Sequence, residues 1–236
     1  MISLKALLFQ VLGASTAVAL PSPGPSSNPL PSLLSSRGTP ISNGISNGFF
    51  YSFWTDGGGD VNYQNGADGS YSVRWANCSS FYGGKGWMPG RADRSITYSG
   101  TFNPEGNGYL SVYGFAKNPL LEYYIIESYG TFDPTLLFQG GSGNQSSVLE
   151  VDGGSYRLGM KRVVRMELGS GAVLTQVYSV RDKGDRRQEG TVNIKAHFDA
   201  WKEKLGVRIG TLDFQIVATE GYQSSGVAEI EVEQSA

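Results

Sequence analysis

The chain has 236 residues, of which 33 are glycine, 12% are aromatic and only 17% are charged; 19 basic and 21 acidic side chains leave a net charge of −2. This composition excludes a coiled coil, collagen and a charged disordered tail, and it favours an all-β domain. The small net charge argues against nucleic acid as a partner, and a single cysteine excludes an internal disulfide framework and a cysteine-rich zinc site.

Residues 1–19 have the features of a secretory signal peptide. Lys5 precedes a short apolar stretch that ends in Ala17-Val18-Ala19, and this stretch is too short and interrupted for a membrane span. We therefore expect a secreted, extracellular protein with no membrane partner. Residues 20–42 are rich in Pro and Ser and are predicted to be a propeptide or leader, with an uncleaved tail as the alternative. Residues 43–236 are predicted to form one domain.

From Phe49 onward, polar and apolar residues alternate with a period of two between Gly and Asn turns, which predicts many antiparallel strands. In three segments the alternation assigns side chains to one shared face. These sets are Tyr109, Ser111, Tyr113 and Phe115; Glu122, Tyr124, Ile126 and Ser128; and Ile216, Ala218, Glu220 and Tyr222.

One segment follows helical spacing instead, and it predicts a single α-helix over about residues 193–205. Thr191 or Asn193 can cap its start, and Gly206 can end it. His197 lies on the apolar stripe of this helix, so we interpret it as a structural residue. Cys78 is interpreted as a packing residue rather than a nucleophile. A Ser-His-Asp or Cys-His hydrolase is accordingly disfavoured.

Two carboxylates lie among aromatic and small residues rather than on charged faces. Glu122 is in the middle of an apolar strand, and Glu220 ends another. A buried carboxylate is usually paired, protonated or functional, because burying its charge alone costs several kcal/mol. Two facing carboxylates would split their pKa values, as glycoside hydrolysis requires. The alternative is that one or both lie at a rim in ordinary ion pairs.

Eight sequence strings, in order along residues 43–232, together resemble the family 11 glycoside hydrolases, which are β-jelly-roll endo-1,4-β-xylanases. They are YSFWTDGGG (51–59), GGKGW (83–87), GYLSVYG (108–114), NPLLEYY (118–124), YGT (129–131), SVR (179–181), HFDAW (197–201) and ATEGYQSSG (218–226). The resemblance implies a sandwich of two curved antiparallel sheets with one helix.

The resemblance also implies that Glu122 is the nucleophile and Glu220 the acid/base of a retaining hydrolysis. Trp54, Tyr113, Tyr124 and Gln176 match residues that contact the substrate. It further implies an enzyme that cuts xylan without a cofactor or metal. We expect a monomer. The alternative is a catalytically weakened xylan- or glycan-binding protein on the same fold.

The sequence departs from the family in two places near the cleft. The thumb hairpin carries Met166-Glu167-Leu168 where the family has Pro-Ser-Ile, and Arg162 is matched to the family's substrate-contacting arginine that precedes this tip. We expect an altered thumb. Ser80 stands where family members carry Asp or Asn beside the acid/base, which predicts a mildly acidic to neutral optimum set mainly by burial of Glu220.

Overall fold

The computed structural model describes residues 38–138, 147–165 and 172–233. The predicted signal peptide, most of the predicted leader and the thumb tip at 166–168 lie outside these ranges. In the described part of the chain, no helix is long and apolar enough to cross a membrane.

The described residues form eleven strands and one α-helix. They are β1 Ser42–Ser46, β2 Phe49–Thr55, β3 Asp60–Asn65, β4 Ser70–Trp87, β5 Ser95–Lys117, β6 Leu121–Tyr129, β7 Ser147–Val151, β8 Gly154–Arg165, β9 Ala172–Arg181, β10 Gly190–Asn193, α1 Ile194–Leu205 and β11 Thr211–Val232. The all-β jelly-roll class with one helix is confirmed.

Hydrogen bonds connect the strands in the order β1-β2-β4-β11-β5-β6-β9-β8-β7, with β3 on β4 and β10 on β5. The two expected sheets are thus continuous with each other through β4, β5 and β11, which are far longer than ordinary strands. All described pairs are antiparallel except β6 with β9. A parallel pair needs a long crossover, and β7 and β8 lie within the chain that joins these two strands.

The two faces of the sheet carry separate clusters of buried side chains. One face, with Leu110, Tyr123 and Val217, packs in the main core together with Phe198 and Trp201 of α1. The opposite face carries a second cluster of Tyr109, Tyr113, Tyr124, Ile126, Ile216 and Ala218. This separation follows the predicted alternation in β5, β6 and β11.

At one position the predicted face is wrong. Ser128 is opposite Leu110 in the register, whereas Ile126 is opposite Ser111, so Glu127 is an extra residue in β6. This bulge shifts the alternation by one, and Tyr129 instead of Ser128 joins the second cluster.

The helix agrees with its prediction at both ends. Asn193, not Thr191, is the cap: its side chain accepts a bond from the Ala196 amide, and Gly206 ends the helix with φ 65°. His197 is fully buried, and its Nδ1 lies 2.9 Å from Ser179 Oγ. Cys78 is buried as well, and burial raises the pKa of its thiol. Both residues therefore have the structural roles predicted for them.

Candidate active site

The second face of the sheet lines an open cavity of about 560 Å³. Its wall combines aromatic side chains, namely Tyr109, Tyr124, Phe132, Tyr178 and Tyr222, with polar groups such as Ser80, Asn107 and Gln223. Aromatic rings with a few hydrogen-bonding groups suit a neutral ligand that presents C–H faces and hydroxyls. Among the described residues, no group of three or more His, Cys, Asp or Glu could hold a metal ion.

Glu122 lies in β6, whose residues are all buried, and its own side chain is fully buried on the cavity face. Tyr113 donates its hydroxyl to Oε1 at 3.1 Å. Gln176 Nε2 donates to Oε2 at 2.6 Å, and the Tyr124 hydroxyl lies 3.4 Å from the same oxygen. An ionised carboxylate can only accept hydrogen bonds. These three donors therefore replace the water molecules that Glu122 loses on burial.

Glu220 lies in β11 and is also fully buried, but its environment differs. Burial raises the pKa of Glu220 to about 8, and the charge of Glu122 adds to this rise. Hydrogen bonds from the Tyr222 hydroxyl to Oε2 at 3.1 Å and from Ser111 Oγ to Oε1 at 3.4 Å oppose it. Glu220 therefore holds a proton at neutral pH and can act as an acid.

The fold brings the two carboxylates to one site from strands that flank β5. Both carboxylates influence the pKa values of the same buried tyrosines. Burial raises the pKa of Tyr82 to about 12, and the negative charges of Glu122 and Glu220 contribute to this rise. The pKa of Tyr113 is raised by burial and by the same two charges. Because both carboxylates are fully buried, the alternative that they are rim residues is excluded.

The other predicted contacts occupy the same face. Tyr113 and Tyr124 have ring centroids 5.0 Å apart, and Tyr124 stacks on Tyr178 at 5.0 Å and 10°. Gln176 accepts a bond from the Tyr178 hydroxyl at 3.2 Å while it donates to the carboxylate. Trp54 is partly exposed and stacks on Tyr82 at 6.3 Å and 18°, so it extends the aromatic surface onto β2.

Ser80 is buried in the cavity wall, opposite Tyr222 in the register of β4 and β11. Its backbone N–H donates to Asp56 Oδ1 at 3.3 Å. Asp56, whose Oδ2 accepts a bond from the Ser79 hydroxyl, also lines the cavity, although it is not among the predicted site residues. Its position two residues after Trp54, in the motif at 51–59, is the sequence feature that could have pointed to it.

Arg162 is exposed on β8 opposite Thr175, so it lies on the other face of the hairpin from Gln176. The structure does not bring Arg162 to Glu122. Instead, Lys161 is opposite Gln176, and its Nζ lies 5.7 Å from the Tyr178 ring centroid. The sequence alone could not distinguish the two neighbours, because the hairpin register decides which one faces the cavity.

The chain is similar to known proteins along most of its length. A family model described as Glycosyl hydrolases family 11 matches residues 46–231. "Endo-1,4-beta-xylanase 1" of Pyricularia grisea is 43% identical and is matched over 100% of both chains. "Endo-1,4-beta-xylanase I" of Cochliobolus carbonum is 43% identical over 98% of this chain and 99% of its own length. "Ethylene-inducing xylanase 1" of Botryotinia fuckeliana is 43% identical over 100% of this chain and 79% of its own.

Proposed function

The chain belongs to family 11 of the glycosyl hydrolases and is a retaining endo-1,4-β-xylanase, and on this basis we propose that Glu122 is its nucleophile and Glu220 its acid/base catalyst. The observation that carries the proposal is the contrast between two fully buried carboxylates in one site. Glu122 accepts three hydrogen bonds, whereas burial raises the pKa of Glu220 to about 8. One group is prepared to attack and the other to donate a proton.

In the first step, a carboxylate oxygen of Glu122 attacks the anomeric carbon of a xylose unit in the xylan chain. The glycosidic C–O bond breaks, its electron pair stays on the leaving oxygen, and Glu220 gives that oxygen its proton. The products are an ester that joins the non-reducing part of the chain to Glu122 and the remaining part of the chain, which leaves with a free hydroxyl.

In the second step, Glu220 accepts a proton from water as the water oxygen attacks the same anomeric carbon. The ester C–O bond breaks, and its electron pair returns to Glu122. The pKa of Glu220 changes between the two steps in the direction that the mechanism requires. The charge of Glu122 raises the pKa of Glu220, so forming the neutral ester removes this contribution and makes Glu220 a better base when one is needed.

We further propose that Trp54, Tyr113, Tyr124 and Gln176 bind the xylose units. The rings offer flat apolar surfaces to sugar C–H groups, and their hydroxyls and the amide of Gln176 orient the sugar against Glu122. Such a surface can bind a neutral polymer without attraction between opposite charges. This agrees with the small net charge of the chain.

Release of reducing sugar from xylan tests the catalytic assignment and its alternative together. The wild type should release sugar, and Glu122→Ala should fall to background. Equal, background-level release from both proteins would instead support the glycan-binding alternative.

The two roles are separated with an aryl β-xylobioside whose leaving group needs no protonation. Glu220→Ala should still form the ester from this substrate and stall there, and added azide should release the β-xylobiosyl azide. Glu122→Ala should form no ester, and azide should give the α-anomer by direct attack. Exchange of these two outcomes between the variants would overturn the assignment.

We also propose that the protein is secreted as a monomer, with residues 1–19 as signal peptide, 20–42 as leader and 43–236 as catalytic domain. N-terminal sequencing of the protein recovered from the medium of a secreting host tests these boundaries. A mature chain that begins with residues of the 1–19 segment would contradict them.

A further inference from the structure

Asn77, Cys78 and Ser79 of β4 form an Asn-x-Ser sequon, which is the acceptor sequence for N-linked glycosylation on the secretory route. A second sequon at Asn144 lies outside the described residues. An attached glycan is bulky and needs an acceptor side chain at the surface of the folded protein. The surroundings of Asn77 therefore decide whether the motif at 77–79 can carry one.

Asn77 lies at a bulge in β4, where its side chain is exposed. Two residues, Ala76 and Asn77, stand where the paired strand β11 has only Ser225. Asn77 has φ 47°, a left-handed conformation that asparagine adopts more readily than most residues. Its backbone N–H donates to Ser225 Oγ at 3.0 Å, and a Cβ at Gly59 would stand 2.2 Å from its carbonyl oxygen. The backbone is thus held in place, and a glycan on the side chain would displace no buried group.

Asn77 and the cavity wall are on the same face of the sheet. Cys78 is buried in the main core, whereas the next residue, Ser79, is exposed and lines the cavity. Successive side chains of a strand point to opposite faces, so Asn77 and Ser79 share a face, with Cα atoms about 6–7 Å apart. A glycan on Asn77 would therefore start beside the cavity.

Ser79 is joined to the segment that follows Trp54. Its hydroxyl donates to Asp56 Oδ2 at 2.6 Å, and its backbone N–H donates to the Gly58 carbonyl at 3.0 Å. Asp56 and Ser79 both line the cavity and mark one end of it, the Asp56–Ser79 end. A xylan chain that leaves the cavity at this end passes the position of the glycan.

We propose that Asn77 carries an N-linked glycan in the secreted protein, and that this glycan hinders xylan chains that extend beyond the Asp56–Ser79 end. The proposal rests on the proposed secretion of the chain. The glycan comes from a lipid-linked oligosaccharide pyrophosphate. The Asn77 amide nitrogen forms a bond to the anomeric carbon and loses one proton, while the anomeric C–O bond breaks and leaves its electron pair on the pyrophosphate.

Mass spectrometry of the full chain secreted from a yeast tests the modification. Trypsin cleaves after Arg74 and Lys85, so the peptide of residues 75–85 contains Asn77 and no other sequon. After treatment with endoglycosidase H, most copies of this peptide should keep one N-acetylglucosamine on Asn77. Asn77→Gly should give the bare peptide, and glycine suits the left-handed backbone at this position. An unmodified peptide 75–85 from the secreted wild type would overturn the proposal.

Steady-state kinetics on substrates of two lengths test the position of the glycan. All proteins carry Asn144→Gln, so that Asn77 is the one sequon left. Removing the glycan by Asn77→Gly should raise kcat/KM on unbranched polymeric xylan about 2- to 5-fold, since association rates vary modestly among variants of one interface. An aryl β-xylobioside is too short to extend beyond the cavity, so its kcat/KM should not change.

Asn47→Gly is the matched control. Asn47 is an exposed asparagine with φ 49° that belongs to no sequon, and its replacement should leave kcat/KM on both substrates unchanged. The parent protein trimmed with endoglycosidase H should behave like Asn77→Gly, and it replaces that variant if the variant unfolds. Equal kcat/KM on the polymer before and after trimming would show that the glycan does not hinder the substrate, and an equal rise on both substrates would contradict its proposed position.

Failure of the glycan proposal can be distinguished from failure of the proposed secretion. Protein retained in the cells with residues 1–19 attached would contradict secretion. Protein recovered from the medium without residues 1–19, but with an unmodified peptide 75–85, would contradict only the glycan on Asn77.

Discussion

At the scale of single residues, the proposed acid/base role of Glu220 has a cost in stability. In the unfolded chain it ionises near its ordinary pKa of 4.5, whereas burial in the folded protein raises the pKa to about 8. Between these values the folded state binds a proton that the unfolded state has lost, so the stability contributed by this group falls as pH rises from about 4.5 to about 8. At about 1.4 kcal/mol per pKa unit, the cost at pH 7 is on the order of 3 kcal/mol.

Glu220→Gln should therefore stabilise the protein at neutral pH while it abolishes xylan hydrolysis. An amide carries no charge to desolvate, so we expect the variant to gain a few kcal/mol at pH 7 and nothing at pH 4. Urea unfolding at the two pH values measures the difference. Glu229→Gln, an exposed change on the same strand, should show no such dependence on pH. An equal gain at both pH values would contradict the explanation.

We expect the pH range of activity to depend on the absence of a carboxylate at position 80. Ser80→Asp should move the optimum to lower pH, because the new buried carboxyl, opposite Tyr222 in the register, must stay protonated to avoid a second negative charge near Glu220. The pH profile of kcat/KM checks this expectation, with Ser80→Asn as the uncharged control. A profile that does not move in Ser80→Asp would show that position 80 is not coupled to the acid/base.

At the scale of elements, a close contact holds a side chain from outside the sheet against the β8–β9 hairpin. A short 3-10 helix at Pro134–Leu137 delivers Phe138, whose ring packs on Gly159 of β8 and lies 5.8 Å from the Tyr178 ring. A Cβ at position 159 would stand 2.0 Å from this ring. Glycine is therefore required there by the approach of a side chain to the strand backbone.

Gly159→Ala should cost about 1–3 kcal/mol of stability by overpacking, and it should raise KM because the displaced Phe138 disturbs Tyr178. Thermal unfolding and steady-state kinetics measure the two effects. Adding Phe138→Leu should recover part of the loss, since the smaller side chain makes room. Strictly additive losses in the double variant would argue against this contact as the cause.

At the scale of the whole molecule, Glu127 joins distant parts of the chain behind the cavity. The bulge in β6 turns this carboxylate into the core, where it is almost fully buried. It accepts bonds from the Tyr98 hydroxyl of β5 at 2.9 Å, the Tyr156 hydroxyl of β8 at 2.5 Å and Arg187 Nε at 2.5 Å. Arg187 also donates its backbone N–H to the carbonyl of Glu127 at 3.1 Å.

Glu127→Gln should be strongly destabilising, by about 3–5 kcal/mol, because it leaves a largely buried guanidinium without its carboxylate. Urea unfolding at pH 7 provides the measurement. Lys195→Ala, which removes an exposed ion pair with Asp199, should cost far less. Similar losses in the two variants would show that burial does not amplify the Glu127 pair.

Much of the fold and of the site was predictable because it depends on nearby residues. Alternation assigned Tyr113, Tyr124 and Glu220 to the correct face, and helical spacing with an Asn cap located α1 within a residue. Sequence patterns were insufficient where pairing with a distant strand decides which face of the sheet a side chain occupies. The bulge at Glu127 displaces Ser128, and the hairpin register turns Lys161 rather than Arg162 toward Gln176.

The sequence by itself determined the strands, the helix and the two carboxylates, because side-chain period, capping and motifs are properties of neighbouring residues. Only the tertiary structure decided how the carboxylates behave. Ser111 reaches Glu220 across 109 residues of chain, and the parallel pairing of β6 and β9 brings Gln176 onto Glu122. The pKa of about 8 that makes Glu220 an acid arises mainly from burial, which exists only once these distant strands pack together.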